Sequence, residues 1–165
     1  MPQKEIKIIG INPGTRYLGI AILHGSELLD WRIKVLNGKW SEEKMKKAVG
    51  IISEFFDRYE PTHLAIKKLH PSRRSRNLAQ LTAKIKEFSR RKGLEVSQYS
   101  IKDVEEFFIE DEKLNKKNLA EVICKEYPAL FYEIKKEKNH KNSYYMRLFE
   151  AVALASACFR ELDNH

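Results

Sequence analysis

Residues 5–23 read EIKIIGINPGTRYLGIAIL. Two runs rich in isoleucine and leucine, 5–12 and 16–23, flank Pro13-Gly14-Thr15. A proline without an N–H followed by an unrestricted glycine cannot continue a strand, so the spacing predicts two strands joined by a tight turn. Asn12, a polar residue closing an otherwise apolar run, stands at the end of the first strand. Working outward, the turn signal His24-Gly25-Ser26 introduces a third strand over 27–36, and Asn37-Gly38 ends it. Ser41 then caps a helix whose Met45, Val49, Ile52, Phe56 and Tyr59 recur at helical spacing until Pro61. A short apolar strand follows over 63–67.

The segment HPSRRSRN (70–77) interrupts, and behind it Leu78, Leu81, Ile85 and Phe88 mark a second helix ending at Gly93. Residues 94–99 form a fifth strand, and Ser100 with Asp103 matches a capping box opening a short helix through Phe108. An amphipathic helix over 116–127 is closed by Pro128. The polar run KKEKNHKN (135–142) leads into a last helix over 143–162, with Leu148, Ala151, Val152, Ala155 and Phe159 as its expected inner face. This order predicts one α/β domain over 1–165: a mixed sheet with helices on its faces and no internal repeat or linker.

Composition narrows the function classes. With 42% hydrophobic and 33% charged residues in 165, the chain can bury a core without disulfides or a structural metal. Lys and Arg outnumber acids 31 to 23, a net charge of +8 that favours a polyanionic partner, nucleic acid before membrane surface. Cys124 and Cys158 belong to no CxxC or Cys/His cluster and read as buried free thiols of a cytoplasmic protein. Neither a leader-like apolar region nor a membrane-length run is present. Pro13-Gly14-Thr15 lacks the Lys-Ser/Thr ending of a phosphate-binding P-loop. Phe107, Phe108, Phe131 and Tyr132 are expected to pack the core or cover an edge.

Four segments carry a family resemblance. IIGINPGTRYLGIAIL (8–23) resembles the hallmark of RuvC-type Holliday junction resolvases, whose first strand ends in an aspartate before Pro-Gly. THLAIKKLH (62–70) resembles that family's fourth strand, which ends Ala-Ile-Glu. LNKKNLAEVICKEYP (114–128) is similar to the lysine-rich start of its penultimate helix, and RLFEAVALASAC (147–158) to its last helix with an Asp-Ala-x-Ala motif. The resemblance implies a ribonuclease H-like fold: about five strands, an antiparallel meander of three and then two parallel strands, with helices on both faces. It also implies branched DNA as ligand and homodimerisation.

The family's reaction requires several carboxylates converging on two divalent metals. Carried over position by position, the first-strand aspartate becomes Asn12 and the fourth-strand glutamate becomes Lys67. The last-helix acid becomes Glu150, and one turn earlier stands Arg147. Glu150 is thus the one retained anionic candidate. The expectation is that Lys67 fills the metal's place, paired with Glu150 and hydrogen-bonded to Asn12, so that no metal cofactor is held and cleavage is lost. The alternative is a divergent junction endonuclease that keeps Mg2+ or Mn2+ by recruiting Asp103, Glu105, Asp111 or Glu121. A third reading is a protein-interaction scaffold.

For nucleic-acid contact, DNA with RNA not excluded, the sequence offers Arg73, Arg74 and Arg76 with Lys68 and His70, beyond the fourth strand's carboxyl end. Forked guanidinium groups and the Ser72 and Ser75 hydroxyls suit successive phosphates. Lys138, His140 and Lys141 precede the last helix and could flank the same surface, with Tyr144 and Tyr145 available for stacking. Lys84, Lys86, Arg90, Arg91 and Lys92 read instead as a solvated helix face.

Overall fold

The computed structural model describes residues 6–72, 75–108, 119–133, 135 and 144–164. Five strands form: β1 (Lys7–Asn12), β2 (Tyr17–His24), β3 (Glu27–Val35), β4 (His63–Lys67) and β5 (Glu95–Tyr99), of which β1, β2 and β4 are near-continuous apolar runs buried on both faces. They form one sheet in the order β3-β2-β1-β4-β5. β1 pairs antiparallel with β2, β2 antiparallel with β3, and β4 runs parallel to both β1 and β5. The carboxyl ends of β1, β3, β4 and β5 therefore open on a single edge of the sheet.

Local capping sets where the helices begin. Ser41 Oγ accepts from Lys44 N at 3.1 Å and starts α1 (Glu42–Tyr59). Ser75 Oγ accepts from Leu78 N at 3.1 Å and starts α2 (Arg76–Arg91). The expected capping box is complete at α3 (Ile101–Phe107): Ser100 Oγ accepts from Asp103 N, and Asp103 Oδ2 accepts from Ser100 N. Each such cap satisfies otherwise orphaned N–H groups and contributes about 1 kcal/mol. α4 (Leu119–Glu126) and a 3-10 turn (Pro128–Leu130) follow, then the long α5 (Tyr144–Asp163).

The sheet separates two cores. On one face Ile9, Ile11, Leu18, Ile20, Ile22, Leu64 and Ile66 pack against Ile52, Phe55 and Phe56 of α1 and Leu81 and Ile85 of α2. The buried line of α1 includes Lys44 and Ala48, whereas Met45 and Val49, expected to face inward, are only half-buried. The Lys44 ammonium donates to the Gly38 carbonyl, and Met45 packs at the margin of this core, in which the expected Ile52 and Phe56 are buried.

The other face carries small side chains. Gly10 is the register partner of both Ala21 and Ala65, and Ala65 is the partner of Ser97, so a row of minimal residues crosses four strands. α5 lies on this row almost backbone to backbone: a Cβ on Gly10 would meet Ala151 O at 2.3 Å, and one on Gly19 would meet Arg147 O at 2.4 Å. Residues 151–158 are buried on every side rather than along one inner face, because α3, α4 and the 3-10 turn cover what the sheet does not. Arg160 fastens that outer layer: its guanidinium donates to Phe107 O at 3.0 Å, pairs with Glu126 at 2.7 Å and stacks 4.1 Å over the Phe108 ring.

Cys124 and Cys158 are both buried and free. Burial pushes each thiol up to about 11, helped at Cys124 by the negative charge of Glu121. Phe108 is buried as expected, but Phe131 and Tyr132 are 55% and 76% exposed, since the turn that follows Leu130 sends only Leu130 inward. No helix among the described residues is long and apolar enough to cross a membrane.

Candidate functional site

Strand periodicity decides which residues can meet. Successive side chains on a strand alternate between faces, so Asn12 follows Gly10 onto the α5 face, and Lys67 follows Ala65 onto the same face one strand away. Both stand at the carboxyl ends of their strands. α5, lowered onto the small-residue row, brings Glu150 over this point across 138 residues of sequence from Asn12 and 83 from Lys67.

One carboxylate oxygen organises the cluster. Glu150 Oε1 accepts from Lys67 Nζ at 2.7 Å and from Asn12 Nδ2 at 2.9 Å. The two donors fix the amide orientation, because the reverse orientation would set the Asn12 oxygen against the carboxylate. Lys67 and Asn12 therefore meet through Glu150 and not by the direct hydrogen bond expected from the sequence. Asn12 Nδ2 also approaches Arg147 O at 3.5 Å. Asn12 is 1% exposed, and its Oδ1 finds no hydrogen-bond partner among the described residues. The ion pair is sheltered but not sealed, with the Lys67 side chain 30% and the Glu150 side chain 13% exposed.

Arg147 points elsewhere. Its guanidinium donates to Pro13 O at 3.1 Å, bracing the β1–β2 turn. This contact needs glycine at 14, where a Cβ would lie 2.6 Å from the guanidinium. Backbone packing and the Arg147 contact thus use the same turn that the sequence identified.

The loop beyond β4 opens on the same edge. Lys68 and His70 are exposed, and Lys68 N donates to Tyr99 O at 2.8 Å, which anchors the loop to β5. Ser72 N donates to His70 Nδ1 at 3.2 Å, so that nitrogen is an acceptor and the ring presents Nε2–H outward. Arg76 is exposed at the first turn of α2. Arg73, Arg74, Lys138, His140 and Lys141 lie outside the described residues, as does the Tyr144 side chain. Tyr145 is half-buried against the core, so its ring is not presented as a free stacking platform.

Several of the remaining basic and acidic candidates have local partners. Lys86 Nζ donates to Gln98 Oε1 at 3.1 Å, Arg91 pairs with Glu87 at 3.7 Å, and Lys92 lies 5.7 Å over the Phe88 ring. Among the alternative acids, Asp103 is held in its capping box, and Glu105 and Glu121 sit on α3 and α4. Asp111 lies outside the described residues. Among the described residues, no three His, Cys, Asp or Glu side chains gather into a group that could hold a metal ion.

What sequence reasoning missed is the small-residue row. The signal was present as Gly10, Gly19, Ala21 and Ala65 in the β1, β2 and β4 segments, but its meaning depends on which strands neighbour one another.

No protein-family model matches the sequence, and no curated protein matches it. Solved structures do match. Thermus thermophilus RuvC in complex with a Holliday junction substrate superposes with a TM-score of 0.71 at 17% identity, covering 96% of this chain and 96% of that one. A second Thermus thermophilus RuvC structure gives 0.72 at 15% identity, covering 96% and 97%. With its antiparallel meander of three strands and two further parallel strands, the chain thus has the ribonuclease H-like fold of these RuvC structures.

Proposed function

We propose that this protein binds branched or otherwise structured DNA across the carboxyl edge of its sheet and does not cleave it. The observation that carries the proposal is the Lys67 ammonium, 2.7 Å from Glu150 at the centre of that edge. The two-metal chemistry implied by the sequence resemblance needs a cluster of anionic oxygens. Here the donor set is one carboxylate, one neutral amide and one cation, and it does not fit a pair of divalent ions. A dication placed ~4 Å from the ammonium would be repelled by several kcal/mol even at an effective dielectric of about 20. Asn12 Oδ1 is a buried oxygen of the described cluster without a partner, and a neutral amide does not replace the missing charge.

The same charges suit a phosphodiester. Lys67 is a fixed cation with part of its surface open to solvent, and the Nε2–H of His70 and the exposed Lys68 stand beside it on the loop after β4. Arg73, Arg74 and Arg76 extend the basic character of that loop, and the net charge of +8 draws polyanions to the whole surface. Support for branched DNA comes from the Thermus thermophilus RuvC structure, which is itself a complex with a Holliday junction. The proposal includes homodimerisation and a cytoplasmic location.

A labelled four-way junction tests this reading. Binding is expected to be salt-sensitive, unchanged by a chelator, weaker after Arg73→Ala and Arg74→Ala, and without strand cleavage in Mg2+ or Mn2+. Metal-dependent cleavage abolished by Glu150→Ala would overturn it in favour of a divergent junction endonuclease.

A further inference from the structure

A second cationic site lies on the same edge, two to three strands from Lys67 and on the α1 face of the sheet, not the α5 face. Thr15, Arg16, Asn37, Trp40 and Lys44 line an open cleft of about 420 Å³ where the β1–β2 turn meets the loop after β3. The two segments are tied by Leu36 N donating to Arg16 O at 2.8 Å. Lys44 is only 9% exposed, although it carries a full charge. Its ammonium donates to Gly38 O at 2.5 Å and lies 5.9 Å over the Trp40 ring. Arg16 is exposed and stacked 5.3 Å over Tyr17, which holds its guanidinium at the cleft mouth.

Neither cation is matched by an acid. Among the described residues no carboxylate forms an ion pair with Lys44 or Arg16. A carbonyl and an aromatic face satisfy an ammonium only in part, and a buried charge without a counter-charge is costly. An anion in the cleft would supply the missing partner, with the Thr15 hydroxyl and Asn37 amide as neutral donors.

We infer that this cleft binds a backbone phosphate of the nucleic acid, a few nucleotides along from the phosphate nearest Lys67. Neighbouring strands are ~4.8 Å apart, so the two to three strands between β4 and the cleft give ~10–14 Å across the sheet, to which the step from the α5 face to the α1 face adds. A chain of a few nucleotides crossing the edge spans that separation. Trp40, half-buried at the cleft wall, offers a face to the adjoining sugar or base. The inference rests on the nucleic-acid reading proposed above and adds to it a second point of attachment.

The test measures affinity for the same four-way junction over a range of salt with Lys44→Met, Arg16→Gln and, as a control at the opposite end of the sheet, Lys92→Gln. Methionine retains the apolar stem of Lys44, and circular dichroism with thermal melting checks that each variant folds; Arg16, being exposed, tolerates change without loss of fold. The expected result is a several-fold weaker complex for Arg16→Gln and for folded Lys44→Met. The slope of log affinity against log salt should fall by about 0.9 per lost duplex phosphate contact, and Lys92→Gln should leave the slope as it is. Unchanged affinity and slope for Arg16→Gln, with the unaltered protein binding well, would overturn the cleft inference alone. Failure of the unaltered protein to bind at low salt would overturn the nucleic-acid reading itself.

Discussion

Replacing Lys67 by methionine leaves Glu150 with Asn12 as its remaining side-chain donor at the cluster. The lost attraction can be bounded from the geometry. Two unit charges 2.7 Å apart interact by about 6 kcal/mol at an effective dielectric of 20. The Lys67 side chain keeps 30% of its surface in water and Glu150 keeps 13%, so solvent screening takes a large share of this. Fully exposed pairs contribute ~0–1 kcal/mol, while breaking buried pairs costs ~3–5 kcal/mol. A coupling of about 2 kcal/mol is therefore expected. Glu150→Gln removes the charge but keeps an oxygen that can accept from Asn12, and the double variant completes a thermodynamic cycle. Urea unfolding of the four proteins isolates the pairwise energy. A coupling below about 0.5 kcal/mol, the level of an ordinary surface pair, would refute the view that Lys67 is the structural cation of this site.

Asn12→Asp combined with Lys67→Glu surrounds Glu150 with two more carboxylates; this variant should melt lower than the parent without divalent ions and recover with millimolar Mg2+ or Mn2+, whereas an equal metal-induced shift in the parent would count against the proposed site. Gly10→Ala forces a Cβ to 2.3 Å from Ala151 O, and because backbone cannot yield as a side-chain tip does, denaturant unfolding should show a loss of ~1–3 kcal/mol or more. Gly50→Ala, in α1 with open space around it, should instead gain ~0.5–1 kcal/mol in the same assay. The thiols of Cys124 and Cys158, raised to about 11 by burial, contribute stability that is complete below the unfolded-state thiol pKa and is lost as pH rises from there through about 11; a melting temperature that climbs over that window would contradict the assignment, as would rapid thiol labelling of the folded protein at pH 8.

Much of the architecture is local in origin and was legible without coordinates. Short apolar runs over Lys7–Asn12, Tyr17–His24 and His63–Lys67 mark the strands, Pro13-Gly14 marks the hairpin, and Ser41 and the Ser100–Asp103 box mark two helix starts. The site was legible only as separate residues. That Asn12 and Lys67 share a face follows from their two-residue offsets from Gly10 and Ala65, but only once those two are known to be register partners. α1 shows the converse: helical spacing selected Ile52 and Phe56, which are buried, but not Lys44, a charged residue whose hydrogen bond to the Gly38 carbonyl accompanies its place in the buried line.

The sequence by itself determined which segments are strands and helices, because backbone sterics, capping and side-chain period act over a few residues. It also determined the net charge of +8, since that is a matter of composition. Tertiary structure alone decided that Glu150 serves Lys67 and Asn12 together, that Arg147 turns to the Pro13 carbonyl instead of joining them, and that residues 151–158 of α5 are buried all round. Those outcomes depend on how closely a helix can approach a sheet. That distance was set by Gly10, Gly19, Ala21 and Ala65 meeting across strands far apart in the chain.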